Sequence, residues 1–336
     1  MATTGLAAFV DGAAAGGIDH STLLDRYRAV MLGVATGNAL GVAAEGESRS
    51  AIRRHWPDGL RDIDPAERGR PWDDDLAETV VLAKALLRSE ELNPDLFGLE
   101  LVQWKRESGR GIGALTRDVV AELESGKEVM EAARNAWERS GWSSAGNGAV
   151  ARCAPVALRC RSSGAYLIRT ARTSALATHY DARCEWSTVV VAALLAVALS
   201  GGITDFSELA AALQPARTGE WESAALEQVV EAIREADGVE LEALELDDPM
   251  DMGYTLKAMK VALWCAQQED DLESIVISVV GSGGATDTNG AIAGAVMGAR
   301  MGTAALPRRW LDNVARHDEV VQLADQLYDG SDRRNR

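Results

Sequence analysis

Apolar residues recur at helical spacing along nearly the whole chain. Leu76, Val80, Ala83 and Leu87 follow Asp75 at intervals of three and four, which puts them on one helix face. The same reading predicts helices over 96–105, 115–123, 128–138, 166–178, 206–213, 224–236, 253–267 and 271–280. Residues 18–31 form another, running into a glycine-rich turn over 33–41. Residues 186–199 are apolar on every side, as in a helix packed deep in a core. No hairpin and no series of alternating strands interrupts the pattern. The expectation is an all-α protein: a single domain, residues 1–336, of helices crossing at steep and shallow angles, with 1–20 and 330–336 loosely ordered.

Two stretches depart from this pattern. Gly290, Gly294, Gly298 and Gly302 lie four apart in 288–302, close to one helix face. Each glycine costs a helix up to about 1 kcal/mol relative to alanine, so the run predicts close approach of another backbone. The stretch 238–251, GVELEALELDDPMD, is acidic and reads as a solvated surface loop or short helix, with a lid as the functional alternative.

The 336 residues are 47% hydrophobic, enough to bury a large core. Lys plus Arg number 34 and Asp plus Glu 51, a formal charge of −17, which excludes the basic footprint of a general nucleic-acid binder. Aromatic residues are 5%, too few for a base-stacking platform. The run 189–199 is too short to span a bilayer, and the N-terminus lacks a basic segment ahead of its apolar residues. Cys153, Cys160, Cys184 and Cys265 contain no CxxC pair, which disfavours a zinc knuckle. These features predict a cytoplasmic protein without nucleic-acid or membrane partners, monomeric or weakly oligomeric.

Three consecutive carboxylates, Asp73, Asp74 and Asp75, precede the helix that begins near Leu76. One acidic residue suffices to cap a helix. Three in a row repel one another unless a cation or a basic partner neutralises them, and hard divalent ions prefer such oxygen ligands. A second oxygen-rich helix entrance, Asp287 and Thr288, follows the glycine loop at 281–284. Each entrance alone has a capping explanation; two facing one cleft point to a cation.

The motifs, in order, resemble those of the ADP-ribosylglycohydrolases. GVATGNALGVAAE (33–45), WDDDLAETVVLAKALL (72–87), SGRGIGALT (108–116), SSAGNGAVARCAP (143–155), ATHYD (177–181) and GGATDTNGAIAGAVMGARMG (283–302) are similar to the family's conserved segments, over roughly residues 29–314. The resemblance implies an orthogonal helix bundle with a central metal-binding cleft. It also implies hydrolysis, assisted by one or two Mg²⁺ or Mn²⁺ ions, at the anomeric carbon of an ADP-ribosyl or related ribosyl conjugate. By position it assigns Asp73, Asp74, Asp75, Asp287 and Thr288 to metal. Glu45, Asp74 and Asp287 take the catalytic places, and Gly111, Gly113, Ser144, Asn147 and His179 the substrate. Arg152 is expected to hold a buried carboxylate, and Trp72, Trp142 and Trp186 to lie in the core.

This chain departs from the family pattern at the site. Asn38 and Ala285 stand where the family has Asp, Asp73 and Leu76 where it has Thr, and Gly281 where Asn is common. An alanine side chain cannot coordinate a cation. Three readings follow: a rearranged working site in which Asp73 makes up the lost charge, a site keeping one ion of two, or a substitution that traps an inactive form. A catalytically silent relative that binds ADP-ribose-like ligands, or serves a structural role, is the alternative to an enzyme.

Overall fold

The computed structural model describes residues 2–213 and 220–332, and among these no strand is formed. The helices in chain order are α1 (Ala2–Ala14), α2 (His20–Gly41), α3 (Arg49–His55), α4 (Asp74–Arg88), α5 (Pro94–Glu107), α6 (Ala114–Glu124), α7 (Val129–Arg139), α8 (Gly148–Ala151) and α9 (Ala154–Cys160). The second half adds α10 (Gly164–Leu176), α11 (Ala182–Leu199), α12 (Phe206–Ala212), α13 (Glu220–Glu235), α14 (Thr255–Gln267), α15 (Leu272–Val280), α16 (Thr286–Met301), α17 (Arg308–Leu311) and α18 (His317–Asp332).

The core forms around α11. Asp181 starts this helix by accepting from the Arg183 backbone N–H, and nearly every side chain along it is buried. Its 18 residues are long and apolar enough to cross a membrane by length and composition, yet 94% of them are buried inside the protein. A mainly apolar helix at the centre of a globular core can match a membrane span in composition.

The residues read as a glycine-rich turn, 33–41, are instead the last turns of α2. Their glycines face those of α16. A Cβ on Gly33 would lie 2.1 Å from the Gly294 carbonyl oxygen, one on Gly37 1.9 Å from that of Gly290, and one on Gly41 2.2 Å from that of Thr286. The two helices therefore run antiparallel in backbone contact, and the glycines serve closeness rather than turning. Thr286 Oγ1 closes the contact by donating to the Gly41 carbonyl at 2.7 Å.

Two further expectations are corrected. Residues 2–14, expected to be loose, form α1, whose Leu6 and Val10 are buried in the core. Trp142, expected in the core, is 59% exposed and has φ +57°, whereas Trp72 and Trp186 are buried. At the other end α18 reaches Asp332, and 333–336 lie outside the described residues.

Candidate active site

The α2–α16 contact brings two chain segments to one place. Leaving α2, the chain passes through a 3-10 turn to Glu45; entering α16, it passes Gly284 and Ala285 to Asp287. Backbone bonds lock these segments together: Gly46 N–H donates to Gly284 O, and Gly284 N–H to Glu47 O, both at 2.9 Å. Gly283 and Gly284 have φ of +81° and +76°, a region that favours glycine. A Cβ on Gly284 would lie 1.9 Å from Leu246 O. The acidic stretch 238–251 thus packs onto the site instead of standing free in solvent. Leu241, Leu244 and Leu246 are buried, and Asp247 accepts from the Arg49 backbone N–H at 2.9 Å.

Opposite stands the N-terminus of α4. Asp73 occupies its capping position but makes no capping bond. Its carboxylate turns inward instead. One oxygen each of Asp73, Asp74 and Asp287 lie within 4.8 Å of one another. Asp73 Oδ2 is buried without a hydrogen-bond partner, although Arg110 Nε stands 3.5 Å from Oδ1. Arg110 is itself anchored by Glu67, at 2.7 Å, and by Pro71 O. Asp75 lies beside this trio rather than in it. The Asn38 amide donates to its Oδ2 at 3.4 Å.

Burial dominates the electrostatics. It pushes Asp74 far above the usual carboxylate range, with Asp75 adding to the effect, and raises Asp75 likewise, reinforced by Asp287. Asp287 is pushed up to about 7 by burial and by Glu45. Glu45, at the open rim, is raised by partial burial and by Asp73. These carboxylates therefore resist ionising together where two helix N-termini converge, and the helix dipoles only partly offset their repulsion.

Glu45, Asp74, Asp75, Gly111, Gly113, Ser144, Asn147, His179, Asp287 and Thr288 all line one cleft of about 410 Å³, while Asp73 supports it from behind. Ala285 also lines the cleft and contributes no oxygen. Gly111 has φ +76°, and a Cβ there would lie 2.6 Å from Asp73 Oδ1, so the glycine loop lies directly over the carboxylates. A Cβ on Gly113 would meet open space. His179 is buried at the far wall with its Nε2 toward Gly146 and Gly148. Burial, then the charge of Arg152, holds its pKa well below the usual histidine value. Arg152 does hold a buried carboxylate: Nη1 donates to Glu78 Oε2 at 2.7 Å. A larger hollow of about 890 Å³ opens elsewhere, between α12 and α13. It is walled largely by apolar residues such as Ala210, Leu226 and Val230, and among the described residues it brings together no comparable cluster of carboxylates.

Sequence reasoning missed Glu78, Arg110, Thr116, Met252 and Gly253, which line or brace the site. Glu78 was recoverable, since it follows Asp74 by one helical turn on the same face. Met252 and Gly253 carried no such signal, because tertiary packing alone brings their loop to the cleft.

The fold and the motif order agree with comparisons to known proteins. The ADP-ribosylglycohydrolase family profile matches residues 19–336. The chain belongs to the ADP-ribosylglycohydrolase family. It is a hydrolase of that family. A protein of Archaeoglobus fulgidus is 30% identical to it, over 91% of this chain and 96% of its own length. The ADP-ribosylarginine hydrolase Tri1 of Serratia proteamaculans is 24% identical over 93% of this chain and 81% of its own. The ADP-ribosylhydrolase ARH3 of Gallus gallus is 25% identical over 90% and 93%. Among solved structures, an ADP-ribosylglycohydrolase-related protein complex matches with a TM-score of 0.69 at 27% identity, over 93% of this chain and 99% of that one.

Proposed function

We propose that the cleft hydrolyses the anomeric-carbon bond of an ADP-ribosyl conjugate with the help of one divalent cation, Mg²⁺ or Mn²⁺. One observation carries this reading: carboxylate oxygens of Asp73, Asp74 and Asp287 lie within 4.8 Å of one another, and Asp73 Oδ2 is buried without a hydrogen-bond partner. Hard oxygen donors in that number suit Mg²⁺ or Mn²⁺. A single ion fits the charge pattern, because Arg110 already supplies a fixed positive charge beside Asp73 and Ala285 supplies no ligand.

When bound, the cation supplies Lewis-acid polarisation and a positive field toward the ribose and diphosphate oxygens. The chain's own residues do the rest. Gly113, Ser144 and Asn147 receive the diphosphate and ribose along the glycine turns. Asp74 and Asp287 hold charge near the anomeric carbon, where an oxocarbenium-like transition state gains positive character. Glu45, at the open rim and already raised, accepts a proton from the attacking water and gives it up to the departing group as the anomeric-carbon bond breaks. Relatives named as ADP-ribosylarginine hydrolase and ADP-ribosylhydrolase support an ADP-ribosylated substrate.

The test is release of ADP-ribose from arginine-linked and serine-linked ADP-ribosyl peptides, with Mg²⁺, with Mn²⁺ and with chelator. Metal-dependent release that is lost in Asp287→Asn supports the proposal. ADP-ribose binding without turnover of any conjugate overturns it in favour of the silent relative, to which Ala285 already points.

A further inference from the structure

Beyond the cleft wall lies a buried chain of hydrogen bonds to which no step above assigns a role. Arg152, 1% exposed, donates through Nη2 to Ser174 O at 3.0 Å and to Thr178 Oγ1 at 2.5 Å. Thr178 Oγ1 lies 2.7 Å from His179 Nδ1. A guanidinium has donors only, so Thr178 accepts from Arg152. The threonine hydroxyl carries one hydrogen, and among its described contacts the one acceptor left is His179 Nδ1. Donating to it satisfies the buried hydroxyl, an arrangement in which that nitrogen bears no proton. A neutral imidazole keeps one N–H, which falls on Nε2.

The Nε2 side of the ring faces the turn that carries Asn147. Positions 146 and 148 are both glycine, and a Cβ at either would come within 3.3 Å of Nε2. No protein acceptor for Nε2 is found among the described residues, and the ring lines the cleft. We propose that Thr178, oriented by Arg152, is a positioning residue that holds His179 as its Nε2–H tautomer, a neutral donor that selects an acceptor oxygen of the substrate, phosphate or ribose, beside Asn147. This rests on the cleft being the ADP-ribosyl site; the tautomer itself does not.

The experiment has two independent readouts. Long-range ¹H–¹⁵N NMR of histidine-labelled protein, assigned with His179→Asn, shows which ring nitrogen carries the proton. Calorimetry with ADP-ribose in Mg²⁺ measures affinity. The wild type is expected to show Nε2–H. Thr178→Val, nearly isosteric, should shift His179 toward Nδ1–H and weaken ADP-ribose by about ten-fold, the worth of one hydrogen bond. Thr178→Ser should restore both. The paired change Arg152→Met with Glu78→Gln removes both buried charges together; it should turn a single tautomer into a mixture. A wild-type proton on Nδ1, or an unchanged Nε2–H in Thr178→Val, overturns the positioning role. A wild type that keeps Nε2–H but binds no ADP-ribose supports the relay and sinks the functional reading instead.

Discussion

Gly111 and Gly113 stand two residues apart in one loop and meet different surroundings. At 113 the added side chain enters open cleft space, so Gly113→Val should weaken ADP-ribose binding by calorimetry and leave the melting temperature unchanged. At 111 it meets the Asp73 carboxylate under a positive φ, so Gly111→Val should also lower the melting temperature, by an amount reflecting about 1–2 kcal/mol of backbone strain. Equal stability of the two variants would contradict this placement. The position of Ala285 is tested by adding the missing carboxylate. Ala285→Asp should raise the bound cations from one to two per chain, counted by elemental analysis after gel filtration in Mn²⁺. A count that stays at one would mean that Arg110 does not leave room for a second ion.

The contact between α2 and α16 belongs to the scale of elements. Gly37→Ala places a methyl 1.9 Å from a backbone carbonyl that cannot move without separating the helices. We expect a loss of about 3 kcal/mol in urea unfolding. Gly12, in α1, has nothing within 4 Å of its Cβ position. There the same change should stabilise by about 0.5–1 kcal/mol, because alanine suits an exposed helix better than glycine. Similar losses at both positions would show that helix propensity, not interhelical distance, governs the glycines. Because the close contact sets Glu45 against Asp287, Gly37→Ala should also impair cation binding, although residue 37 touches no ligand.

For the molecule as a whole, the cleft couples stability to pH and cation. Asp74, Asp75 and Asp287 take up protons more readily folded than unfolded, since burial and mutual repulsion raise all three. Groups raised in this way stabilise the fold at low pH and lose that contribution as pH rises through their folded values, for Asp287 near about 7. Without cation, these carboxylates should make the protein less stable at pH 8 than at pH 5. A cation that replaces the protons reverses the loss. Saturation at 100 times Kd is worth about 2.7 kcal/mol, or roughly 5 °C in a domain of this size. The thermal shift with Mg²⁺ or Mn²⁺ should therefore be larger at pH 8 than at pH 5 and absent in Asp287→Ala. A shift independent of pH would place the cation away from the carboxylates.

Helical periodicity made the all-α class and most helix spans legible, because a 3.6-residue repeat is a local property of the chain. The ordered motifs marked the carboxylates and the lining glycines for the same reason: they are runs of residues. Glycine spacing announced a close contact in α16 but misread 33–41 as a turn, since glycine permits both and only its partner decides. The unpartnered oxygen of Asp73, the counter-charge from Arg110 and the entry of the 238–253 segment into the cleft wall were decided by tertiary structure. Each depends on which distant segments share a desolvated space, and neither burial nor a missing partner is a property of sequence neighbours. The relay from Arg152 to His179 shows the division within a single motif. Thr178 and His179 are adjacent in sequence, but the donor that orients the threonine arrives from the distant turn between α8 and α9.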